Sequence, residues 1–223
     1  VEKGLPVEWS EEKNVAWKLA LPGGSSATPV VWGDKIFLMA QDEKQISLLC
    51  VSTTGKMLWT SKVAESRGKS KGEKSFASPS PSTDGKRVFT MTGLGEVVAF
   101  DFDGQEVWRF NSQERYGKFR YGFGYHTTPL FYSGRLYLQL IHSGGAWVVA
   151  IDTTNGKEIW KVERPSDGVA ECEHSYTSPC LWRDDKQARL ITHGNDYAIA
   201  HRLTDGKEIW RVGDLNPKDR YNR

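Results

Sequence analysis

A loop rich in aromatic and basic residues is the segment of this sequence best suited to bind another molecule. Rigid rings give contact area at low entropy cost, and arginines add charge, as in protein interfaces. The same composition also suits stacking with a nucleic acid or an anionic glycan, or packing of the loop's aromatics against its own fold. The candidate interaction residues lie between 109 and 126 and are Arg115, Tyr116, Lys118, Phe119, Arg120, Tyr121, Phe123, Tyr125 and His126.

Two other polar segments carry residue types that can do chemistry. Glu171, Cys172, Glu173 and His174 combine carboxylates, a thiol and an imidazole, but a zinc site needs a second ligand pair and none follows. Residues 61–75 contain five cations and two acids and are typical of a solvated loop. No phosphate-binding loop or dinucleotide fingerprint is present. We therefore predict no metal site and no catalytic residues.

Three cysteines, Cys50, Cys172 and Cys180, are too few for a disulfide scaffold. Cys172 and Cys180 are close enough in sequence to pair. The favoured expectation is that both are unpaired thiols and that Cys180 is buried in a strand.

Composition excludes several classes of protein. Among 223 residues, 30 Lys and Arg against 28 Asp and Glu leave a net charge of +2, which argues against a polyanion binder, so no nucleic acid partner is expected. With 12% aromatic residues the chain has too much apolar surface to remain disordered. The longest apolar run, residues 146–151, is too short to cross a bilayer, so no transmembrane segment is expected.

The chain repeats itself about every fifty residues. Tryptophans at 17, 59, 108, 160 and 210 mark the period, and a Ser/Thr-Pro pair lies upstream in each repeat. The last four tryptophans each close a phrase in which a glycine turn joins two apolar runs, a pattern that predicts a hairpin. The residues with predicted structural roles are Trp59, Trp108, Trp160, Trp210, Gly55, Gly104, Gly156 and Gly206.

Each repeat encodes four short antiparallel strands and no long helix. Because one such sheet cannot cover both its faces, neighbouring sheets must stack around an axis. We predict an all-β chain of about four β-propeller blades forming one unit over residues 1–223. The repeats are placed at about 20–60, 61–109, 110–161 and 162–212, with an orphan outer strand at 9–19 and the start of another inter-blade loop at 213–223.

The phrase from Ala150 to Trp160 resembles the tryptophan-docking repeat of pyrroloquinoline-quinone (PQQ)-like β-propellers. That family includes quinoprotein alcohol dehydrogenases and the outer-membrane assembly lipoprotein BamB. The resemblance implies an exported protein of the periplasm or cell envelope. For the enzymes it also implies PQQ, a calcium ion held by Glu and Asn, a catalytic Asp and a disulfide between adjacent cysteines. This sequence has no adjacent cysteine pair, so no cofactor is expected.

Four blades are fewer than the seven or eight that the resemblance implies, so we interpret the chain as a fragment of a ring. The alternatives are a closed four-bladed ring, or two half-rings pairing into one assembly, since open blade faces favour a homodimer. The favoured function is a non-catalytic, BamB-like scaffold that binds an unknown protein partner. The alternatives are a fragment of a PQQ-dependent dehydrogenase and a sensor or ligand-binding domain of a larger protein.

Overall fold

The structure, a computed structural model, describes residues 3–69, 75–120, 123–165, 167–194 and 197–215. These residues form four antiparallel sheets, each of four strands that follow one another in chain order. The predicted all-β class and four-stranded blades are confirmed, and the four sheets do not close into a ring. Helix is limited to α1 (Ser112–Tyr116) and a 3-10 turn (Ala170–Glu173), both in segments predicted as loops.

The four sheets are named here in chain order. Sheet 1 contains β1 (Val30–Trp32), β2 (Lys35–Gln41), β3 (Gln45–Ser52) and β4 (Met57–Glu65). Sheet 2 contains β5 (Ser82–Thr83), β6 (Arg87–Met91), β7 (Glu96–Asp101) and β8 (Glu106–Asn111). Sheet 3 contains β9 (Leu130–Tyr132), β10 (Arg135–His142), β11 (Gly145–Asp152) and β12 (Glu158–Glu163). Sheet 4 contains β13 (Cys180–Arg183), β14 (Ala188–His193), β15 (Ala198–Arg202) and β16 (Glu208–Val212).

The second and third strands of the sheets supply most of the buried core. In β7 the run Val97–Val98–Ala99 is fully buried on both faces, because a neighbouring sheet lies on each side. Valine and isoleucine suit such strands, since branched side chains pack well on a pleated surface. The fourth strands alternate instead: in β8, Trp108 and Phe110 are buried while Val107 is 44% exposed. The core therefore lies between sheets.

An indole from the fourth strand of each of the first three sheets contacts the following sheet. Each ring lies against a glycine of positive φ in the turn after the third strand of that sheet, where an added Cβ would be 2.6–2.8 Å from the ring. Each indole N–H also donates to a carbonyl in the same turn. The ring thus gains an apolar contact and the N–H a hydrogen-bond acceptor. The pairs are Trp59 with Gly104 and the Phe102 carbonyl (3.0 Å), Trp108 with Gly156 and Thr153 (2.9 Å), and Trp160 with Gly206 and Leu203 (3.1 Å).

A second repeated contact joins the sheets at their first strands. The Ser/Thr-Pro pair precedes the first strand of each sheet, and its hydroxyl accepts a hydrogen bond from the backbone N–H of the same pair one sheet earlier. The donors are Thr28, Ser80 and Thr128, and the acceptors are Ser80, Thr128 and Ser178, at 2.9, 3.0 and 2.9 Å. Both sequence phrases therefore act at the junctions between sheets.

The two ends of the sheet stack differ from the junctions inside it. Among the described residues, the segment 9–19 pairs with no sheet, so the predicted outer strand is not formed there; a strand needs a neighbour for its backbone hydrogen bonds. At the other end Trp210 is 45% exposed, because no described sheet lies against it. The last residues of the predicted loop at 213–223, from 216 onward, lie outside the described residues.

The cysteines correct one expectation. None of the three forms a disulfide, and Cys50 and Cys172 are buried. Cys180 is exposed, so the prediction that it is buried was wrong. It begins β13, an edge strand, on the side of sheet 4 that no described sheet covers.

Replacing Trp108 with alanine tests how much one indole junction contributes to the free energy of unfolding. Trp108 is 9% exposed and stacks near Phe89 and Phe110, so Trp108→Ala should lower the free energy of unfolding by about 3–5 kcal/mol, as large core truncations do. Trp210→Ala, at the equivalent strand position but 45% exposed, is the control and should cost about 1 kcal/mol. Urea denaturation measures both; equal losses would contradict the junction.

A pair of glycine substitutions separates ring contact from backbone strain. Gly156 and Gly134 both have positive φ, 69° and 73°, so alanine adds about 1–2 kcal/mol of strain at either position. Only at Gly156 would the new Cβ meet an indole, that of Trp108 at 2.8 Å, while at Gly134 nothing lies within 4 Å. Gly156→Ala should therefore cost about 1–3 kcal/mol more than Gly134→Ala in thermal or urea unfolding, and similar losses would count against this interpretation.

Candidate interaction surface

The predicted interaction loop, between sheets 2 and 3, is anchored at both of its ends. The side-chain oxygen of Asn111 caps α1 by accepting from the Gln113 amide at 2.8 Å. Tyr116, at the end of α1, is buried, and its carbonyl accepts from the indole N–H of Trp147 in β11 at 3.1 Å. The loop therefore starts in a fixed position on sheet 3.

The turn between β10 and β11 receives the loop through two facing glycines. Gly117 has a φ of 106°, and a Cβ there would lie 2.4 Å from the carbonyl oxygen of Gly144. Only glycine allows this close backbone approach. The residues that follow Gly117 consequently run along the end of sheet 3.

An aromatic bed, formed by Phe119, Tyr125 and His142, lies beneath the loop. The Phe119 ring stacks on Tyr125 with centroids 4.6 Å apart and meets His142 edge-on at 4.9 Å. The Tyr125 hydroxyl donates to the Gln139 carbonyl and accepts from the Ile141 amide at 2.9 Å. Burial raises the pKa of the Tyr125 phenol. These rings hold the loop on β10, so the predicted aromatics Tyr116, Phe119 and Tyr125 pack inward.

Four cations of the loop and of β12 are called here the basic rim: Arg115, Lys118, Arg120 and Lys161. All four are exposed. The Arg115 guanidinium lies 3.9 Å from the Phe110 ring centroid and donates to the Gly156 carbonyl at 2.9 Å. The Lys161 ammonium lies 4.7 Å from the Trp147 ring. Contacts with ring faces hold such cations in place while leaving charge toward solvent.

The remaining candidate residues lie nearer to the next loop. His126 is half-buried, with its Nε2 2.8 Å from the Phe123 carbonyl and its ring 5.9 Å from Tyr176. Phe123 is also half-buried. Tyr121 lies outside the described residues. The structure thus brings the described candidates together, with the aromatics mainly inside and the cations outside.

His142 was not singled out from the sequence, yet it lies at the centre of the aromatic bed. It is 3% exposed, its Nδ1 accepts from the Gly144 amide at 3.1 Å, and its Nε2 has no hydrogen-bond partner among the residues that the structure describes. Burial, reinforced by the nearby His174 and Arg120, lowers the pKa of His142 to about 4. The imidazole is therefore neutral at neutral pH. Its only sequence signal was its place at a strand end before two glycines.

The Glu171–His174 segment folds as the 3-10 turn and its exit. Cys172 and His174 are buried, Glu173 is exposed, and the His174 Nε2 lies 3.4 Å from the Ser143 hydroxyl. No three His, Cys, Asp or Glu side chains among the described residues are grouped so that they could hold a metal ion. The segment contributes packing beside the His142 region.

The basic segment 61–75 is partly strand, since β4 continues to Glu65. Gln41 organises the rest: its amide nitrogen donates to the Gly68 carbonyl at 2.6 Å, and its amide oxygen accepts from the Phe76 backbone at 2.6 Å. A cleft of about 960 Å³ lies beside it, lined by residues that include Gly24, Lys44 and Lys69. Residues 70–74 lie outside the described residues.

A metal-held quinone does not fit the described residues. Their carboxylates and imidazoles form no group suited to a cation, and no two of the cysteines at 50, 172 and 180 are adjacent in sequence.

Stacked four-stranded sheets joined by indoles and Ser/Thr hydroxyls define a segment of a β-propeller. A family model described as outer membrane protein assembly factor BamB matches residues 47–218. The chain belongs to that family, which confirms the resemblance drawn from the repeats. No curated protein sequence matches the chain significantly. None of the helices in the described residues is long and apolar enough to cross a membrane.

Solved structures with the same fold include enzymes and a non-enzyme. A quinohemoprotein alcohol dehydrogenase from Comamonas testosteroni matches with a TM-score of 0.67 and 16% identity, over 90% of this chain and 36% of that one. BamB from Moraxella catarrhalis matches at 0.59 and 18%, over 91% and 56%. A europium-containing methanol dehydrogenase matches at 0.65 and 12%, over 94% and 45%. The chain spans about a third to just over half of these proteins, and at such identities the likeness shows the fold alone.

The low pKa of His142 predicts a specific acid sensitivity. In the unfolded chain the imidazole takes up a proton near pH 6.5, whereas in the folded protein it does so only near pH 4. The unfolded state therefore binds more protons between these values, and stability falls as pH is lowered through this window, by about 2–3 kcal/mol in total.

His142→Gln should reduce this loss, because the glutamine amide does not titrate. Urea unfolding of both proteins at pH 7, 6, 5 and 4 measures the difference. His201, also buried with a lowered pKa, is unchanged in both proteins and contributes equally. Parallel pH profiles for wild type and variant would show that His142 is not responsible.

Proposed function

We propose that this chain is a non-catalytic propeller segment that holds a protein partner against the basic rim. The observation that carries the proposal is the arrangement of Arg115, Lys118, Arg120 and Lys161 over a loop fixed to sheet 3. Because the loop backbone is already anchored by Tyr116 and Tyr125, binding would order few groups, and little conformational entropy would be lost.

An acidic segment of a protein is the partner that best matches this surface. The four rim cations face solvent, and the acidic residue of α1 is Glu114. A cluster of exposed charges of one sign speeds association with a partner surface of the opposite sign and disfavours partners of the same sign. Arg115, resting on Phe110, also offers a flat face on which a partner's aromatic ring can stack.

The family supports the remaining parts of the proposal. Its description names an outer membrane assembly factor, and on that basis we propose that this chain is exported to the cell envelope. We also propose that the Trp59, Trp108 and Trp160 contacts are the docking motif of the family's repeats. The glycines beneath these rings would then have a structural role in every member of the repeat.

A fragment of a quinoprotein dehydrogenase is the second candidate. It is supported by the shared fold, which the chain has in common with a quinohemoprotein alcohol dehydrogenase and a methanol dehydrogenase as well as with BamB. In that case the groups that hold a quinone and its metal would come from parts of the protein outside the described residues. Titration with PQQ and calcium, followed by absorbance, separates the candidates: micromolar binding would favour the dehydrogenase.

Charge reversal at the rim tests the scaffold proposal. Lys118→Glu with Arg120→Glu should reduce recovery of partner proteins from an envelope extract on the immobilised chain by about tenfold, since opposite charges are replaced by like charges. Lys186→Glu with Lys207→Glu makes the same change of charge at exposed turns of sheet 4 and is the control. Quantitative mass spectrometry compares the captured proteins. If both double variants retain the same proteins, the rim is not the binding surface.

A further inference from the structure

The position of the hydrogen on the His142 imidazole is fixed by its surroundings. Its Nδ1 accepts the Gly144 amide hydrogen at 3.1 Å, so the neutral ring carries its own hydrogen on Nε2. The ring is 3% exposed, and its Nε2 has no partner among the described residues. An added proton would have to occupy Nδ1, where it would face the N–H of Gly144.

The surroundings of His142 disfavour the charged imidazole. Two donors would point at each other at Nδ1, and a buried donor without an acceptor is costly. The charged or titratable groups that face His142 among the described residues are the Arg120 guanidinium, the Tyr125 phenol and the His174 imidazole. None of the three is a carboxylate that could pair with the new charge, and Arg120 repels it. A buried charge in such a place is strongly destabilising.

One of the two elements that cover His142 is tied down by hydrogen bonds. On the side of the 3-10 turn, His174 is followed by the buried Ser175. The Ser175 amide donates to the Ile141 carbonyl at 3.1 Å, and the Ser175 hydroxyl donates to the His193 carbonyl at 2.8 Å. This side is therefore fixed both to β10 and to sheet 4.

The other cover is residues 117–120, called here the rim segment because it carries Lys118 and Arg120 of the basic rim. Two of its amides donate to Gln113 of the same loop, that of Phe119 at 2.9 Å to the side-chain oxygen. These bonds lie within the loop, and neither of them reaches sheet 3. The rim segment is therefore held on His142 by other contacts.

Ring packing is the main contact of the rim segment with sheet 3. The Phe119 and His142 rings meet with centroids 4.9 Å apart, and Gly117 fits closely against Gly144. Lifting the segment would break these contacts, leave the ladder of sheet 3 intact and admit water to the imidazole. Opening the other side would break the hydrogen bonds of Ser175. The rim segment is therefore the side that yields when the imidazole becomes charged.

We propose that protonation of His142 opens the rim segment and thereby releases the partner from the basic rim. While the imidazole is neutral, the segment lies on sheet 3 and presents Lys118 and Arg120. When the imidazole is charged, the segment lifts and these two cations lose their fixed positions. The release of a partner rests on the proposed function, whereas the opening of the segment does not depend on it.

The pH range of the opening follows from the two states of His142. Burial lowers its pKa to about 4, whereas an imidazole in water titrates near pH 6.5. The open state therefore takes up the proton first, and its population grows as the pH falls from about 6.5 toward 4. Between pH 7 and pH 5 these values raise the ratio of open to closed segments about twentyfold.

Hydrogen exchange followed by mass spectrometry tests the opening on the chain alone at pH 7, 6 and 5. After correction for the intrinsic exchange rate at each pH, protection of the peptide containing Phe119 should fall about twentyfold between pH 7 and pH 5. Peptides of β11 should stay better protected at every pH, which would show that the opening is local. Equal protection of the two regions, or protection of the Phe119 peptide that does not respond to pH, would overturn the inference.

His142→Asn should remove the pH response. The asparagine oxygen can replace Nδ1 as the acceptor for Gly144, and the amide does not titrate. His174→Asn makes the same change at the neighbouring imidazole and is the matched control, which should keep the response. A response that survives in His142→Asn, or that disappears only in His174→Asn, would assign the opening to another group and overturn the inference.

Binding of a fluorescent peptide of aspartates tests the release. Aspartate remains ionised at pH 5, so a change in affinity between pH 7 and pH 5 reports on this chain. By fluorescence anisotropy, wild type should bind about tenfold more weakly at pH 5, and His142→Asn should change less than about twofold.

The two measurements separate failure of this inference from failure of the proposed function. A peptide that does not bind at pH 7 would count against an acidic partner, while hydrogen exchange would still decide whether the segment opens. An affinity that stays constant while the segment opens would overturn the release.

Discussion

The whole structure depends on one contact, an indole laid on a glycine that no other residue could replace. A four-stranded sheet has two apolar faces and cannot shield them itself. The tryptophan of the fourth strand supplies a large flat surface, and the glycine turn of the next sheet supplies both the space and the carbonyl for its N–H. Because the ring, the donor and the positive φ must all match, the contact fixes the register between sheets as well as their separation.

The loop that carries the basic rim takes its order from these junctions. Sheet 3 is held on both sides, by Trp108 from sheet 2 and by its own Trp160 on sheet 4. The turn between β10 and β11 is therefore a firm support on which Phe119 and Tyr125 can pack. On this support the Arg115 guanidinium is held against the Phe110 ring and the Gly156 carbonyl.

Much of the fold could be predicted because each repeated residue type has one structural role, in a turn or at a junction between sheets. The tryptophan period, the glycine turns and the Ser/Thr-Pro pairs indicated four sheets of four strands, as the structure confirms. The direction of loop side chains could not be predicted. Tyr125 points inward because its hydroxyl donates to the carbonyl of Gln139, and the backbone of Tyr116 is placed by the indole N–H of Trp147, which donates to its carbonyl. No local pattern encodes such distant partners.

Two further differences have the same origin. Cys180 was expected to be buried because it begins a strand, but burial depends on whether another sheet covers that face. The segment 9–19 was predicted as an outer strand because residues 14–19 resemble the end of a repeat, yet it forms no strand among the described residues, because a strand exists only beside a neighbour. His142 was not predicted, since its sequence surroundings are those of any hairpin end, while its low pKa comes from burial and from the nearby His174 and Arg120.

The hydrogen bonds of the two repeated contacts between sheets all run in the same direction along the chain. In these two contacts the donor, such as the Thr28 amide or the Trp59 indole, precedes its acceptor in the chain. Each of the first three sheets therefore carries donors whose acceptors lie in the sheet that follows it in the chain. Each later sheet thus supplies the acceptors for donors of the sheet that precedes it in the chain.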